Sequence, residues 1–460
     1  MKTFLIQTLG CKVNQYESQQ IHQVLEQAGL KAARPGIGAD IVIVNTCCVT
    51  HIASSKSCHA IRRAFGKNPD ALLIVTGCLP VGQDNELNDW AEKCFIVKEK
   101  EKLPAILKKI LSSHNDDCLT NISNKPLNTC KIKDKTENAK QIIALQPAEN
   151  VTNDTPFCDM SKLPILTSYA GHTRAFLKVQ DGCDAYCTYC IIPKIRTRVC
   201  NKDVKSVLEE ARNLIAAGHK EIVLTGIFLG AYGQTTARRK RSNPAFRDCL
   251  ASLVEQVAAL PHLVRLRLSS LEPADVTDRM LEVFKNHTNL VPHLHLSLQS
   301  GSARILKRMA RQYKIDQFLE IIDRIKTTLD RPAITTDIIV GFPGETDEDF
   351  EQTLDIAHRV EFAKIHVFSY SIRKNTPAAR LEPKVPADVI RRRSHYLQSL
   401  DIEFQSRFRR QFIGQDVEVL VENPRPPMGR CERYFMVNLS DLPDAAKLRK
   451  GQLVRLRLSQ

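Results

Sequence analysis

Short apolar runs alternate with segments of helical spacing over the first 111 residues. Residues 4–8, 41–45 and 72–76 read as strands, and helical spacing fills 16–28, 53–64 and 103–111. Strands alternating with helices in this way pair in parallel and are covered by the helices. A second register of the same kind begins at Ala175. It predicts strands at 175–179, 221–224, 264–268, 293–298, 335–340 and 364–368, with helices such as 205–217, 246–260 and 317–329. Six parallel strands with crossover helices predict a partial TIM-like (β/α)6 barrel.

Between the two registers the text changes. Residues 112–172 are dominated by Asn, Lys, Asp, Thr and Ser, and read as a long linker. After about Asp401 the apolar period becomes two, at 417–421, 434–439 and 453–458, with turn-rich 423–429 between the first pair. Short alternating strands predict a small C-terminal β-barrel. The fold class is therefore α/β, divided as 1–111, 112–172, 173–400 and 401–460.

A chain of 460 residues is long enough for two or three domains. No stretch approaches the roughly 20 apolar residues of a membrane span, and the N-terminus reads as a strand, not a signal peptide. A cytoplasmic location follows as the expectation, with reduced thiols. The 15 cysteines then point to metal ligation or catalysis rather than to disulfide staples. A formal charge of +15 suggests a polyanionic partner, most simply a nucleic acid. Basic clusters at 238–241, 391–393 and 407–410 are candidate RNA contacts, and each could equally be a solvated face. In the last segment Tyr434 and Phe435 could stack on RNA bases or pack in a core.

The densest chemistry lies straight after the first strand of the second register. Cys183, Cys187 and Cys190 place three thiols within eight residues. A zinc knuckle would want a fourth Cys or His at matching distance, and neither Cys200 nor His172 is near. A [4Fe–4S] cube held by three thiolates keeps one iron open to an exogenous ligand. Strand ends in the first register carry cysteines too: Cys11, Cys47 and Cys78. Ligands of open α/β sheets bind outside the carboxyl ends of the strands, so these three form a second candidate metal site. The competing reading is that free cysteine is common in cores. Cys48 adjoins Cys47, but adjacent side chains diverge in extended backbone, and Cys47 stands in register with the others. Cys118, Cys130 and Cys158, in the linker, are poorer candidates. Gly226, Glu272, Gln299, Gly341 and Gly344 follow the later strands, where barrel enzymes place their active residues.

These residues together resemble the radical S-adenosylmethionine (SAM) methylthiotransferase family over nearly the whole chain. The stretch from Thr8 through Cys11 to Ser18, with Asn45-Thr46-Cys47 and Thr76-Gly77-Cys78, is similar to the family's N-terminal motif. Gln180 to Pro193 resembles its radical-SAM signature, and 296–302 and 337–346 resemble later barrel motifs. The last segment resembles the RNA-binding TRAM domain. Ala303, Cys200 and Ser369 depart from the usual text. Residues 12–17 look most like the subfamily that acts on threonylcarbamoyladenosine in tRNA, rather than on isopentenyladenosine or a ribosomal-protein aspartate.

The resemblance implies two [4Fe–4S] clusters, one on Cys183, Cys187 and Cys190 and an auxiliary one on Cys11, Cys47 and Cys78. It implies SAM bound at the first, with Tyr189 against its adenine and Gly226, Glu272, Gln299, Gly341 and Gly344 as further contacts. A radical made from SAM would take hydrogen from C2 of the modified adenine, and the auxiliary site would deliver sulfur. The implied partners are the tRNA anticodon loop and a low-potential electron donor, without a membrane. A non-catalytic RNA-binding iron–sulfur protein is the rival of a different class.

Overall fold

The computed structural model describes residues 2–34, 37–82, 87, 93–112, 160 and 163–459. Its first sheet has five parallel strands in the order Lys31–Ala32, Thr3–Thr8, Ile41–Thr46, Leu72–Gly77, Phe95–Ile96. Ile41–Thr46 is the central strand and is buried at every position, as expected for a strand covered on both faces. The helix His51–Lys67 starts from Thr50, whose side chain accepts the Ala53 N–H, a cap contributing about 1 kcal/mol.

The first helix differs from the sequence expectation. It spans Lys12–Gln27 and starts directly after Cys11, four residues before the apolar period begins. Its opening turns are polar and yet buried: Asn14, Glu17, Ser18 and Gln20 all lie in the interior. An apolar-periodicity criterion misses a helix face buried through hydrogen bonds.

The second unit contains six parallel strands in chain order: Arg174–Lys178, Glu221–Thr225, Arg265–Leu268 continued by Ser270–Leu271, His293–Leu296, Ala333–Val340 and Lys364–Ser369. The third strand changes partner midway. Its first half pairs with Glu221–Thr225, and its second half with His293–Leu296. The expected partial barrel is therefore present, closed by a core that includes Leu177, Ile222, Leu224, Leu266, Leu294, Leu296 and Ile338.

Most of the expected linker, 113–159 with 161–162, lies outside the described residues, as do Cys118, Cys130 and Cys158. Its end does not behave as a linker. Gln20 and Gln23 of the first helix donate to Pro164 O (3.0 Å) and Ile165 O (2.8 Å), and Leu166 and Tyr169 enter the barrel core. These contacts depend on partners more than 140 positions away, which local composition does not reveal.

The boundary expected near Asp401 falls inside one helix, Ala387–Arg410. Leu397, Leu400 and Phe404 belong to the barrel core, whereas Phe408 belongs to the core of the C-terminal unit. That unit is a four-stranded antiparallel sheet in the order Met436–Asn438, Pro427–Cys431, Asp416–Pro424, Leu453–Arg457. Pro427–Cys431 is a strand where the sequence read turn, because its Pro and Gly content masks the alternation. No helix among the described residues is long and apolar enough to cross a membrane.

The sheet packs against the barrel through buried charge and stacked rings. Arg265 pairs with Glu418 at 3.0 Å, and Arg267, held by its barrel neighbour Glu221 at 2.9 Å, lies over the Tyr434 ring at 5.4 Å. Tyr434 stacks on His293 with ring centroids 4.1 Å apart, and Phe435 packs with Phe408 and Phe412. Both base-stacking candidates thus make contacts within the protein. Burial, reinforced by Arg267, pushes the His293 imidazole well below its ordinary value.

His293 therefore stays neutral in the fold while the unfolded chain takes up a proton below pH 6.5. Its contribution is complete above that pH and is lost as pH falls towards the lower folded value. Denaturant unfolding followed below pH 6.5 should show stability dropping, with His293→Asn removing up to about 1.4 kcal/mol per pH unit of the slope.

Candidate active site

The first cysteine triad sits in the loop after Arg174–Lys178. Main-chain bonds fix its path: Cys183 N–H donates to Arg196 O (3.0 Å), Cys190 N–H to Cys187 O (3.1 Å), and Thr188 N–H to Met309 O (3.0 Å). Cys183 is buried, and Cys187 and Cys190 are half-buried. Burial pushes the Cys183 and Cys190 thiols up to about 12, with neighbouring cysteines adding to the effect. Metal ligation requires thiolates, so these buried sulfurs need a strongly cationic centre to hold them deprotonated.

Arg311 gathers the residues around this loop. Its guanidinium donates to Cys187 Sγ (3.2 Å) and Tyr189 Oη (3.4 Å), and pairs with Glu272 at 2.8 Å. Burial raises the Glu272 carboxyl, although Arg311 opposes this. Two of the sequence candidates, Tyr189 and Glu272, are thereby brought to the first triad. Arg311 itself was missed, and its only signal in sequence is a basic residue soon after the fourth strand end.

The other candidates are distributed differently. A Cβ on Gly226 would lie 2.9 Å from Gln180 Oε1, so the glycine admits a close crossing of the first and second strand ends. Gln299 takes a left-handed φ of 66°, and its N–H donates to Asp337 O at 2.8 Å. Around Gly341 and Gly344 the space is filled by protein: a Cβ there would meet Ile390 Cγ1 at 2.3 Å and Arg308 Nη2 at 2.9 Å. Their lack of a side chain is accounted for by packing without invoking a ligand.

The second triad forms where three strand ends crowd together. Gly10 and Gly77 both have positive φ, and neither could carry a side chain. A Cβ on Gly10 would lie 2.6 Å from Cys47 Cβ, and one on Gly77 would lie 2.4 Å from Thr46 O. Asn14 touches all three loops. Its Nδ2 donates to Leu9 O and Thr46 O, each at 2.8 Å, while its Oδ1 accepts from Cys78 Sγ at 3.9 Å. Cys47 is placed where its thiol feels Cys78 and Cys11, and burial above all pushes it up to about 11. Cys48 turns elsewhere, its thiol donating to Cys78 O at 3.3 Å within an apolar cluster.

Arg196 joins the two triads. Its carbonyl takes the Cys183 N–H, and its guanidinium extends to Cys78 Sγ at 4.0 Å. On the way it donates to Asp181 (2.8 and 2.9 Å) and Glu17 (2.8 and 2.9 Å). Lys178 bridges the same two carboxylates at 2.9 and 3.1 Å, and Lys100 also reaches Glu17. Burial alone would raise Glu17, but these cations hold it well below its ordinary value; Arg196 and Lys178 hold Asp181 down at about 2.

Among the described residues no three potential ligands stand at metal-binding spacing, so each triad is a set of neighbouring thiols, not a closed cage. The donor chemistry nonetheless suits iron–sulfur ligation: sulfur only, three per site, at strand ends and in the loop that follows the first barrel strand.

Comparison with known proteins agrees with this architecture. Residues 177–357 match the radical SAM superfamily, and 3–97 match an uncharacterized protein family designated UPF0004. The threonylcarbamoyladenosine tRNA methylthiotransferase MtaB of Thermotoga maritima is 35% identical over 92% of this chain and 87% of its own. A tRNA-2-methylthio-N(6)-dimethylallyladenosine synthase of Clostridium botulinum is 33% identical over 99% of this chain and 94% of its own. In fold, the chain is similar to the radical SAM methyltransferase TsrM of Kitasatospora setae, with a TM-score of 0.54 at 13% identity, over 82% of this chain and 76% of that one. This chain belongs to the radical SAM tRNA methylthiotransferases, transferases that use SAM and [4Fe–4S] clusters.

The Glu17 junction has a measurable consequence. Glu17→Gln leaves Arg196, Lys178 and Lys100 undercompensated in the interior and should cost about 3–5 kcal/mol in denaturant unfolding. Breaking the exposed Arg407–Glu403 pair should cost at most about 1 kcal/mol.

Proposed function

We propose that this chain methylthiolates C2 of N6-threonylcarbamoyladenosine beside the tRNA anticodon, giving 2-methylthio-N6-threonylcarbamoyladenosine. The observation that carries this reading is the pair of three-thiol sites joined by Arg196, in a chain 35% identical to MtaB along most of its length. Cys183, Cys187 and Cys190 would hold the cluster that engages SAM, and Cys11, Cys47 and Cys78 the auxiliary one. Bound there, the clusters and SAM supply one-electron reductive cleavage of a sulfonium and a sulfur for transfer.

The protein's own contributions follow from its geometry. Arg311 orients Cys187, Tyr189 and Glu272 with one planar guanidinium. Tyr189, packed beside Met309 and Phe342, offers an apolar ring edge to an adenine and excludes water. Glu272, its carboxyl raised by burial, can accept from or donate to a ribose hydroxyl. Asn14 clamps the loops of the auxiliary triad, and the Glu17 junction holds the two triads in register.

The domain division at 1–111, 173–400 and 401–460 belongs to the same reading, with the C-terminal sheet serving as a TRAM-like RNA-binding unit. It would present the anticodon loop to the barrel, in a cytoplasmic enzyme fed by a low-potential donor. The Clostridium botulinum relative supports a second substrate, isopentenyladenosine.

Mass spectrometry of tRNA nucleosides decides between them. Deleting the gene should abolish 2-methylthio-threonylcarbamoyladenosine and leave the isopentenyl derivative intact; the reverse pattern overturns the assignment. Anaerobically reconstituted protein should hold about eight irons, and Cys183→Ala about four. About four in the unaltered protein would rule out two cubes.

A further inference from the structure

Lys12 directly follows Cys11 and opens the first helix. It is half-buried, and its ammonium makes no hydrogen bond or ion pair among the described residues. Other interior cations behave otherwise: Lys178, Lys202, Arg265, Arg267 and Arg311 are each ion-paired. The groups whose charge Lys12 feels are Tyr434, Arg174, Asp337 and Cys11, and its own charge reaches His293. Its ammonium thus lies within electrostatic range of the barrel residues Arg174, Asp337 and His293 and of Tyr434 in the C-terminal unit.

The charges around it are already committed. Asp337 pairs with His295 at 3.2 Å and accepts from Ser297 at 3.4 Å. Arg174 pairs with Glu422 at 3.2 Å and Glu221 at 3.8 Å. A partly desolvated ammonium is costly when unpaired and favours a carboxylate when one arrives.

We propose that Lys12 is the specificity residue for the substrate's N6 substituent, and that its ammonium receives the carboxylate of the threonylcarbamoyl group. This rests on the substrate reading above. C2, where sulfur is delivered, and C6, which bears N6, flank the same ring nitrogen of adenine. A base with C2 at the Cys11 triad therefore carries its N6 group within reach of the adjoining residue. An isopentenyl group offers Lys12 no acceptor and covers the half-buried cation while leaving it unpaired, so the same contact rejects the apolar substrate.

A double-mutant cycle between protein and RNA tests this. Full-length reconstituted enzyme and its Lys12→Gln and Lys12→Arg variants are titrated with anticodon stem-loops carrying threonylcarbamoyladenosine or its methyl ester, Kd being read by fluorescence anisotropy. Unaltered enzyme should prefer the free carboxylate roughly tenfold. Lys12→Gln should abolish that preference while binding the ester RNA unchanged, and Lys12→Arg should keep part of it. Retained iron in Lys12→Gln shows that the neighbouring triad is intact; if iron is lost, the unaltered enzyme and Lys12→Arg still report the preference. A preference surviving in Lys12→Gln, or absent from unaltered enzyme that does methylthiolate the threonylcarbamoyl RNA, overturns this assignment alone. An enzyme active only on isopentenyladenosine RNA overturns the substrate reading and this assignment together.

Discussion

Glu17 is a single buried carboxylate on which the geometry between two domains depends. It receives Lys100 from its own domain and Lys178 and Arg196 from the barrel. Taking these four charged groups out of water is costly, and their attraction offsets that cost only if every hydrogen-bonding position is met. Asp181 completes the match by sharing both barrel cations. Such a junction confers little net stability compared with an apolar one, but it is intolerant of displacement. A slide of one turn would leave Lys100 without a carboxylate and Asp181 alone to serve Lys178 and Arg196. Position is what it supplies, and position between two sulfur sites is what this family's chemistry requires.

The legible part of the sequence was the part written in local periodicity. Apolar runs marked both parallel sheets, and the strand-end placement of Cys11, Cys47, Cys78 and Cys183 followed from counting along those runs. The rest was illegible for physical reasons that differ case by case. Asn14 and Glu17 look like the exposed start of an amphipathic helix, because a buried polar residue is recognised only by its partners, and those lie on other elements of the fold. Arg311 carries no motif; its role arises from a guanidinium reaching a loop 124 positions away. Gly341 and Gly344 resembled ligand-approach glycines, yet Ile390 and Arg308 occupy the space beside them. Removal of a side chain makes room without stating for what.

Cys47 and Cys48 show how little separates a candidate ligand from a core residue. Both belong to the same strand end and both are buried. The extended backbone sends one thiol towards Cys11 and Cys78 and the other into an apolar cluster, against Cys78 O. Alternation at a strand terminus, not chemical identity, assigns them different surroundings.

The helix Ala387–Arg410 contributes to two cores at once, with Ile390 against Gly341 at one end and Phe408 under the antiparallel sheet at the other. A helix of 24 residues is a rod about 36 Å long, seated in the barrel core by Leu397, Leu400 and Phe404 and under the sheet by Phe408. The terminal sheet is therefore not a bead on a string whose local concentration depends on tether length. It is carried on one rigid element whose far end bears, through Ile390, on Gly341 at the end of the fifth barrel strand.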